Sequence, residues 1–176
     1  MRGVVFDRPA GTEKVIFAFS IQLVFVITMN LERYNYFTND YKAYEFFSDG
    51  PRGRIKKLVI FTKIPDTEPP IYNLAFGDAH PVTEKLDDAV ISNNDDRDIV
   101  LATVANTIAA FCNHYGNHYI YAEGSTASRT RLYQMGIAGI WDEISTDFEV
   151  YGLKENEWHE FKPYGVNYEA FLVKRK

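Results

Sequence analysis

The residues best suited to chemistry are Gly124, Ser125 and Thr126, with Arg129 and Arg131 just beyond them. They follow a short apolar stretch, Tyr119 to Ala122, and open a segment of helical character. A strand that runs into a helix N-terminus presents backbone N–H groups and the positive end of the helix dipole, a natural place for an anion. The hydroxyls of Ser125 and Thr126 and one guanidinium would complete an anion-binding turn. The competing reading is a capped turn with surface arginines. Two positions apart on a helix, Arg129 and Arg131 do not share a face, and Arg129 lies nearer the helix start. The pattern Gly-x-x-x-x-Gly-Lys is absent, so this is not a P-loop.

A second polar group, Asn93, Asn94 and Asp95 with Asp96, leads into the strongest helix of the chain. Carboxylates there suit the dipole as caps. As a functional group they would form the acidic rim of a cleft and repel a phosphate. The four histidines form no motif: His114 and His118 are four apart, but Gly116 between them ends the helix. No metal site is expected. Cys112 falls on an apolar stripe and reads as core rather than nucleophile. Neither Gly-x-Ser-x-Gly nor His-Glu-x-x-His occurs. The acidic group Glu84, Asp87 and Asp88 reads equally well as a solvated loop.

Composition limits the classes further. The 176 residues fit one domain, and a single cysteine excludes a disulfide framework and a cysteine-built zinc site. That cysteine usage fits a reducing compartment, so a cytoplasmic location is expected. A net charge of -5 argues against a nucleic-acid partner despite the cluster Arg52, Arg54, Lys56 and Lys57.

These candidates must be positioned by a small set of elements. Tyr44–Phe47 and Arg54–Ile64 flank the turn chemistry of Ser48 to Gly53 and predict a hairpin. Ile71–Phe76 predicts a third strand, and Ala79–Ser92 reads as irregular. Val100, Val104, Ile108, Phe111 and Tyr115 recur at helical spacing, widened by Leu101, Ala105 and Cys112, and predict a long helix over Asp96–Tyr115. Ser92 and Asp95 have the spacing of a capping box, and Gly116 supplies the stop. Tyr119–Ala122 predicts a strand, Ala127 to about Ile137 a second helix capped by Ser125 or Thr126, and Phe148–Tyr151, Glu157–Phe161 and Tyr168–Val173 further strands. A strand–helix–strand crossover makes two strands parallel. The expected fold class is therefore α/β (α+β): a mixed, largely antiparallel sheet with the long helix packed on one face.

The segment 1–28 differs from the rest. Val15–Ile27 is apolar but too short to span a membrane. It reads first as an appended or falsely started N-terminal extension outside the core, second as a signal sequence, and last as a membrane anchor. Residues 29–176 form the expected globular domain, with no membrane partner.

From Met29 onward the chain resembles a bacterial family of unknown function. The resemblance rests on Met29-Asn30-Leu31-Glu32-Arg33-Tyr34, Tyr72-Asn73-Leu74-Ala75-Phe76-Gly77-Asp78, Ser92-Asn93-Asn94, Gly124-Ser125-Thr126 and Val166-Asn167-Tyr168-Glu169-Ala170-Phe171-Leu172-Val173. More distantly it resembles the acetyl-CoA-dependent N-acetyltransferase fold, through the order strand, helix, strand, short helix and the segment Leu132-Tyr133-Gln134-Met135-Gly136-Ile137. That resemblance implies Tyr133 as general acid and a glycine-rich cofactor loop before the long helix. Here the loop is Ser92-Asn93-Asn94-Asp95-Asp96-Arg97-Asp98, acidic and without glycine, so acetyl-CoA is disfavoured and no cofactor is expected. The expected function is a non-catalytic or accessory protein that binds a protein or a small anionic ligand. The alternative is an active acyltransferase or another small-molecule enzyme.

Overall fold

A computed structural model describes residues 31–87 and 92–176. In chain order the elements are β1 (Tyr36–Phe37), β2 (Ala43–Gly50), β3 (Gly53–Lys63), β4 (Ile71–Ala79), β5 (Leu86–Asp87), α1 (Arg97–Tyr115), β6 (Tyr119–Ala122), α2 (Ala127–Gly139), α3 (Trp141–Asp147), β7 (Phe148–Lys154), β8 (Glu157–Glu160) and β9 (Ala170–Arg175). The strands form one sheet in the order β1-β2-β3-β4-β6-β9-β7-β8, with β5 paired on β4. All pairs are antiparallel except β4 with β6, which α1 connects as a crossover. This is the mixed, largely antiparallel α+β arrangement expected from the pattern.

Alternation sets the faces. On β3 Lys57, Val59 and Phe61 point inward, opposite Asp78, Phe76 and Leu74 of β4. The β2–β3 hairpin pairs Gly50 with Gly53 across Pro51-Arg52, and Gly53 takes φ 87, a conformation that favours glycine.

Helix α1 covers the inner face. At 19 residues it lies within the usual range for globular helices rather than being unusually long. Val100, Val104, Ile108 and Phe111 are buried as the spacing predicts, and Phe111 stacks on Phe61 with ring centroids 4.5 Å apart. Ala102, Thr103, Thr107 and Ala109 are buried too, so more than one stripe of the helix is covered. The two threonine hydroxyls donate to the carbonyls of Ile99 and Val104, each at 2.7 Å. Thr103 Oγ1 also accepts from the Tyr34 amide at 2.9 Å, which seats the segment before β1 on the helix.

The helix begins at Arg97 with Asp96 as its cap, and no side chain closes that cap. The expected capping box of Ser92 and Asp95 therefore does not form. Ser92 is engaged by Lys57 and Asp78 instead, and Asp95 takes φ 64. Gly116, at φ 103, ends the helix as expected, its N–H reaching the Cys112 carbonyl. Helix α2 is capped by Thr126 rather than Ser125: the Thr126 hydroxyl accepts from the Arg129 amide at 3.3 Å. Three elements have no counterpart in the sequence pattern: β1, β5 and α3. The last strand starts at Ala170, later than expected, because the Tyr168 amide donates to Gln134 Oε1 at 3.3 Å on α2 instead of to a neighbouring strand. The extension 1–28 and the segment 88–91, including Asp88, lie outside the described residues. Among the described residues no helix is long and apolar enough to cross a membrane.

Ile108→Asp and Val104→Asp should each abolish cooperative thermal unfolding. Both side chains are buried against the sheet, and an unpaired carboxylate there costs several kcal/mol, comparable to about the whole stability of such a domain. A near-native melting curve for either variant would contradict the placement of α1.

Candidate functional site

Because β4 and β6 run parallel, they end on the same edge of the sheet, and α1 and α2 begin there. Open α/β sheets place ligands beyond the carboxyl ends of such strands. A cleft of about 370 Å³ opens at this point. Its walls come from Lys57 on β3, Phe76, Gly77 and Asp78 on β4, the loop Ser92–Asp96, Arg97, Val100 and Leu101 on α1, and Arg129, Leu132 and Tyr133 on α2.

Two polar clusters hold this cleft in shape. In the first, the buried Lys57 ammonium contacts both Asp78 Oδ1 and Ser92 Oγ, and Ser92 Oγ donates to Asp78 Oδ1 at 3.2 Å. Lys57 and Asp78 are direct cross-strand neighbours, so the sheet register itself forms the pair. In the second, Asn94 is only 2% exposed. Its Nδ2 donates to Ser48 Oγ at 2.9 Å and to the Gly53 carbonyl at 3.0 Å, while its Oδ1 accepts from the Arg52 amide at 2.9 Å. Beside it the Asp96 carboxylate accepts from Ser48 Oγ at 2.5 Å and from the Tyr34 hydroxyl at 2.8 Å. Burial, more than any other influence, pushes the Tyr34 hydroxyl above its ordinary pKa, so it stays a donor. The loop into α1 is thereby tied to the tip of the β2–β3 hairpin. Gly50 permits the approach: a Cβ there would sit 1.9 Å from the Asn94 carbonyl oxygen.

The sequence candidates separate on this frame. Asn93, Asn94 and Asp95 do lie at the cleft, Asn93 and Asp95 exposed and Asn94 turned into the hairpin as a tether. Of the five turn residues, Arg129 alone joins the cleft wall. It is 7% exposed, despite carrying a charge. Arg131 is exposed and donates to Asn167 Oδ1 at 2.7 Å. The Gly124 amide donates to Thr130 Oγ1 at 3.1 Å, and a Cβ on Gly124 would lie 2.4 Å from the Thr130 nitrogen, so the turn folds tightly onto the first turn of α2. Tyr133 is half-buried beside the cleft, its hydroxyl 3.4 Å from the Phe76 carbonyl, to which it donates.

Behind the cleft lies an apolar recess of about 90 Å³ between the sheet and the three helices. Its lining is almost entirely carbon, and includes Leu74, Val104, Ala105, Ile108, Phe148 and Phe171. Phe76, Leu101 and Tyr133 belong to the walls of both spaces. Cys112 is buried in the core, and burial raises its thiol pKa, which disfavours the reactive thiolate. Among the described residues no group of three or more metal-ligating side chains is present.

Sequence reasoning named Lys57 in a basic cluster and Ser92 as a helix cap, and missed that both meet Asp78 in one cluster. The signal was present in the strand periods: Lys57 shares its parity with Val59 and Phe61, and Asp78 with Leu74 and Phe76. A charge on an inward-facing position calls for a partner, since lysine and aspartate are almost never fully buried unpaired.

The molecule is thus a mixed α+β domain with a cleft where two parallel strands hand over to two helices. The chain belongs to the family described as "Family of unknown function (DUF6934)", which it matches over residues 30–176. Comparison with curated proteins and with solved structures gives no match.

Lys57→Met should destabilise the protein by about 3–5 kcal/mol in urea denaturation, because it strands a buried carboxylate. The double variant Lys57→Met with Asp78→Leu should recover most of that loss, since an apolar pair of similar volume replaces a buried ion pair at little cost. Equal losses in the single and double variants would show that packing rather than charge pairing holds the cleft floor.

Proposed function

We propose that this chain is a non-catalytic binding protein whose cleft takes a small ligand with one acidic group, held by Arg129. The observation that carries this reading is the position of Arg129: a nearly buried cation in the wall of a 370 Å³ cleft, at the start of α2. The turn Gly124–Thr126 contributes by fixing that residue, through the cap from Thr126 to its amide. The lining carries no net positive charge that would hold a multiply charged ligand. The cleft is lined by three cations, Lys57, Arg97 and Arg129, against three carboxylates, Asp78, Asp95 and Asp96. The carboxylates of Asp95 and Asp96 sit at the start of α1, where they would repel a pyrophosphate.

The non-catalytic half of the reading is supported by how the cleft's titratable groups are spent. Lys57, Asp78 and Asp96 are all bonded to protein partners that hold the site together. An acetyltransferase-like scaffold is supported by the order β4, α1, β6, α2, by the parallel pairing of β4 and β6, and by the segment Leu132–Ile137 on α2. The second reading, an acyltransferase with Tyr133 as general acid, draws on the place of Tyr133 in the walls of both cleft and recess. A net charge of -5 and the buried Cys112 support a small-molecule rather than a nucleic-acid partner and a reducing, cytoplasmic setting.

Thermal shift with sodium acetate, sulfate and acetyl-CoA, against sodium chloride at matched ionic strength, tests this reading. A carboxylate at ~100 times its dissociation constant adds ~2.7 kcal/mol, which raises Tm by roughly 5–10 °C for a domain of this size. Arg129→Met should remove the carboxylate shift and Arg131→Ala should keep it. Acetyl-CoA should give no shift. A carboxylate shift unchanged in Arg129→Met would overturn the assignment, and transfer of the acetyl group from acetyl-CoA to an added amine, with the CoA thiol released in equal amount, would establish the acyltransferase in its place.

A further inference from the structure

Resting on that reading of Arg129, we propose that the ligand is an amphiphile: a medium-chain monocarboxylate whose hydrocarbon tail enters the apolar recess behind the cleft. The polar cleft and the recess adjoin, and Phe76, Leu101 and Tyr133 wall both. A ligand whose acidic group lies at Arg129 therefore has an apolar space directly beyond these three residues. The recess offers such a tail no polar competitor. Its wall is almost entirely carbon, and a water needs two to four polar partners to be held in a cavity.

Volume sets the size of the tail. A cavity of about 150 Å³ lined by aliphatic and aromatic side chains admits benzene, so by proportion the 90 Å³ recess holds roughly four carbons. Further carbons are needed to cross the cleft from Arg129, which excludes acetate as the best ligand and points to the medium-chain range. The width of the passage depends on Leu101. Leu101 packs onto the bare backbone of Gly136, where an added Cβ would lie 2.0 Å from Leu101 Cδ1. Glycine at 136 thus seats that leucine against α2, and any side chain at position 136 would push it toward the passage. Charge selects the head group. With cations and carboxylates in equal number around the cleft, a single carboxylate is tolerated where a phosphate or pyrophosphate meets Asp95 and Asp96.

The test is calorimetric titration of the full chain with the sodium salts of acetate, butyrate, hexanoate, octanoate and decanoate, below their micelle concentrations, and with octanol. Each methylene that enters the recess should raise affinity about fourfold, and the rise should level off once the recess is full. Octanoate should bind more tightly than octanol in the wild type and equally in Arg129→Met. Ala105→Leu, which fills the recess from α1, should flatten the chain-length rise while leaving the acetate response unchanged. The levelling in the wild type stands independently of whether that variant folds well. Acetate binding that depends on Arg129 but shows no chain-length effect would overturn this inference and leave the cleft reading intact. A rise that continues unlevelled through decanoate marks adsorption to the surface and also overturns it. A rise equal for octanoate and octanol in the wild type would overturn the Arg129 reading itself.

Discussion

The parallel pairing of β4 with β6 is the constraint from which the rest of the structure follows. A parallel neighbour cannot be reached by a tight turn, so the chain must leave the sheet, cross one face and return. Helix α1 is that crossing, and its burial on more than one side supplies much of the hydrophobic core. The same pairing brings two strand ends and two helix starts to one edge. The remaining strands, all antiparallel, extend the sheet without altering that edge.

What the topology brings together, polar contacts hold at a fixed distance. The cleft loop has no regular structure of its own, so its backbone and side chains must find partners elsewhere. Asn94 and Asp96 find them on the hairpin tip and Tyr34, and Ser92 finds them on Lys57 and Asp78. Residues whose type suggested a functional rim thus act in large part as supports. Of the charged side chains around the opening, Arg129 is the one that combines near-complete burial with a place on the helix wall.

Much of this was legible in the sequence because it is periodic. The stripe Val100, Val104, Ile108 and Phe111 located α1, the turn residues around Gly50 to Gly53 located the hairpin, and the crossover order implied the parallel pair. The misses have physical reasons. Helix α3 is seven residues long and starts straight after Ile140, too short for a period to show. Strands β1 and β5 are two residues each and exist only through their partners. The capping box failed because the Ser92 hydroxyl met a buried ammonium, a contact set by sheet register rather than by local spacing. The Gly124–Thr126 turn and the pair Arg129 and Arg131 were visible as residue types, but the divergence of the two arginines depends on where Asn167 lies, 36 residues further along from Arg131.

The contact between Gly50 and Asn94 has a consequence for how this chain can vary. Hairpin tips are ordinarily where proteins accept inserted or deleted residues at least cost. Here the tip is pinned from behind by an asparagine that reads its backbone at Ser48, Arg52 and Gly53, and any side chain at position 50 would collide with it. This exposed turn is therefore among the least editable stretches of the sheet. A tag, loop graft or length change placed there would propagate straight to the mouth of the cleft.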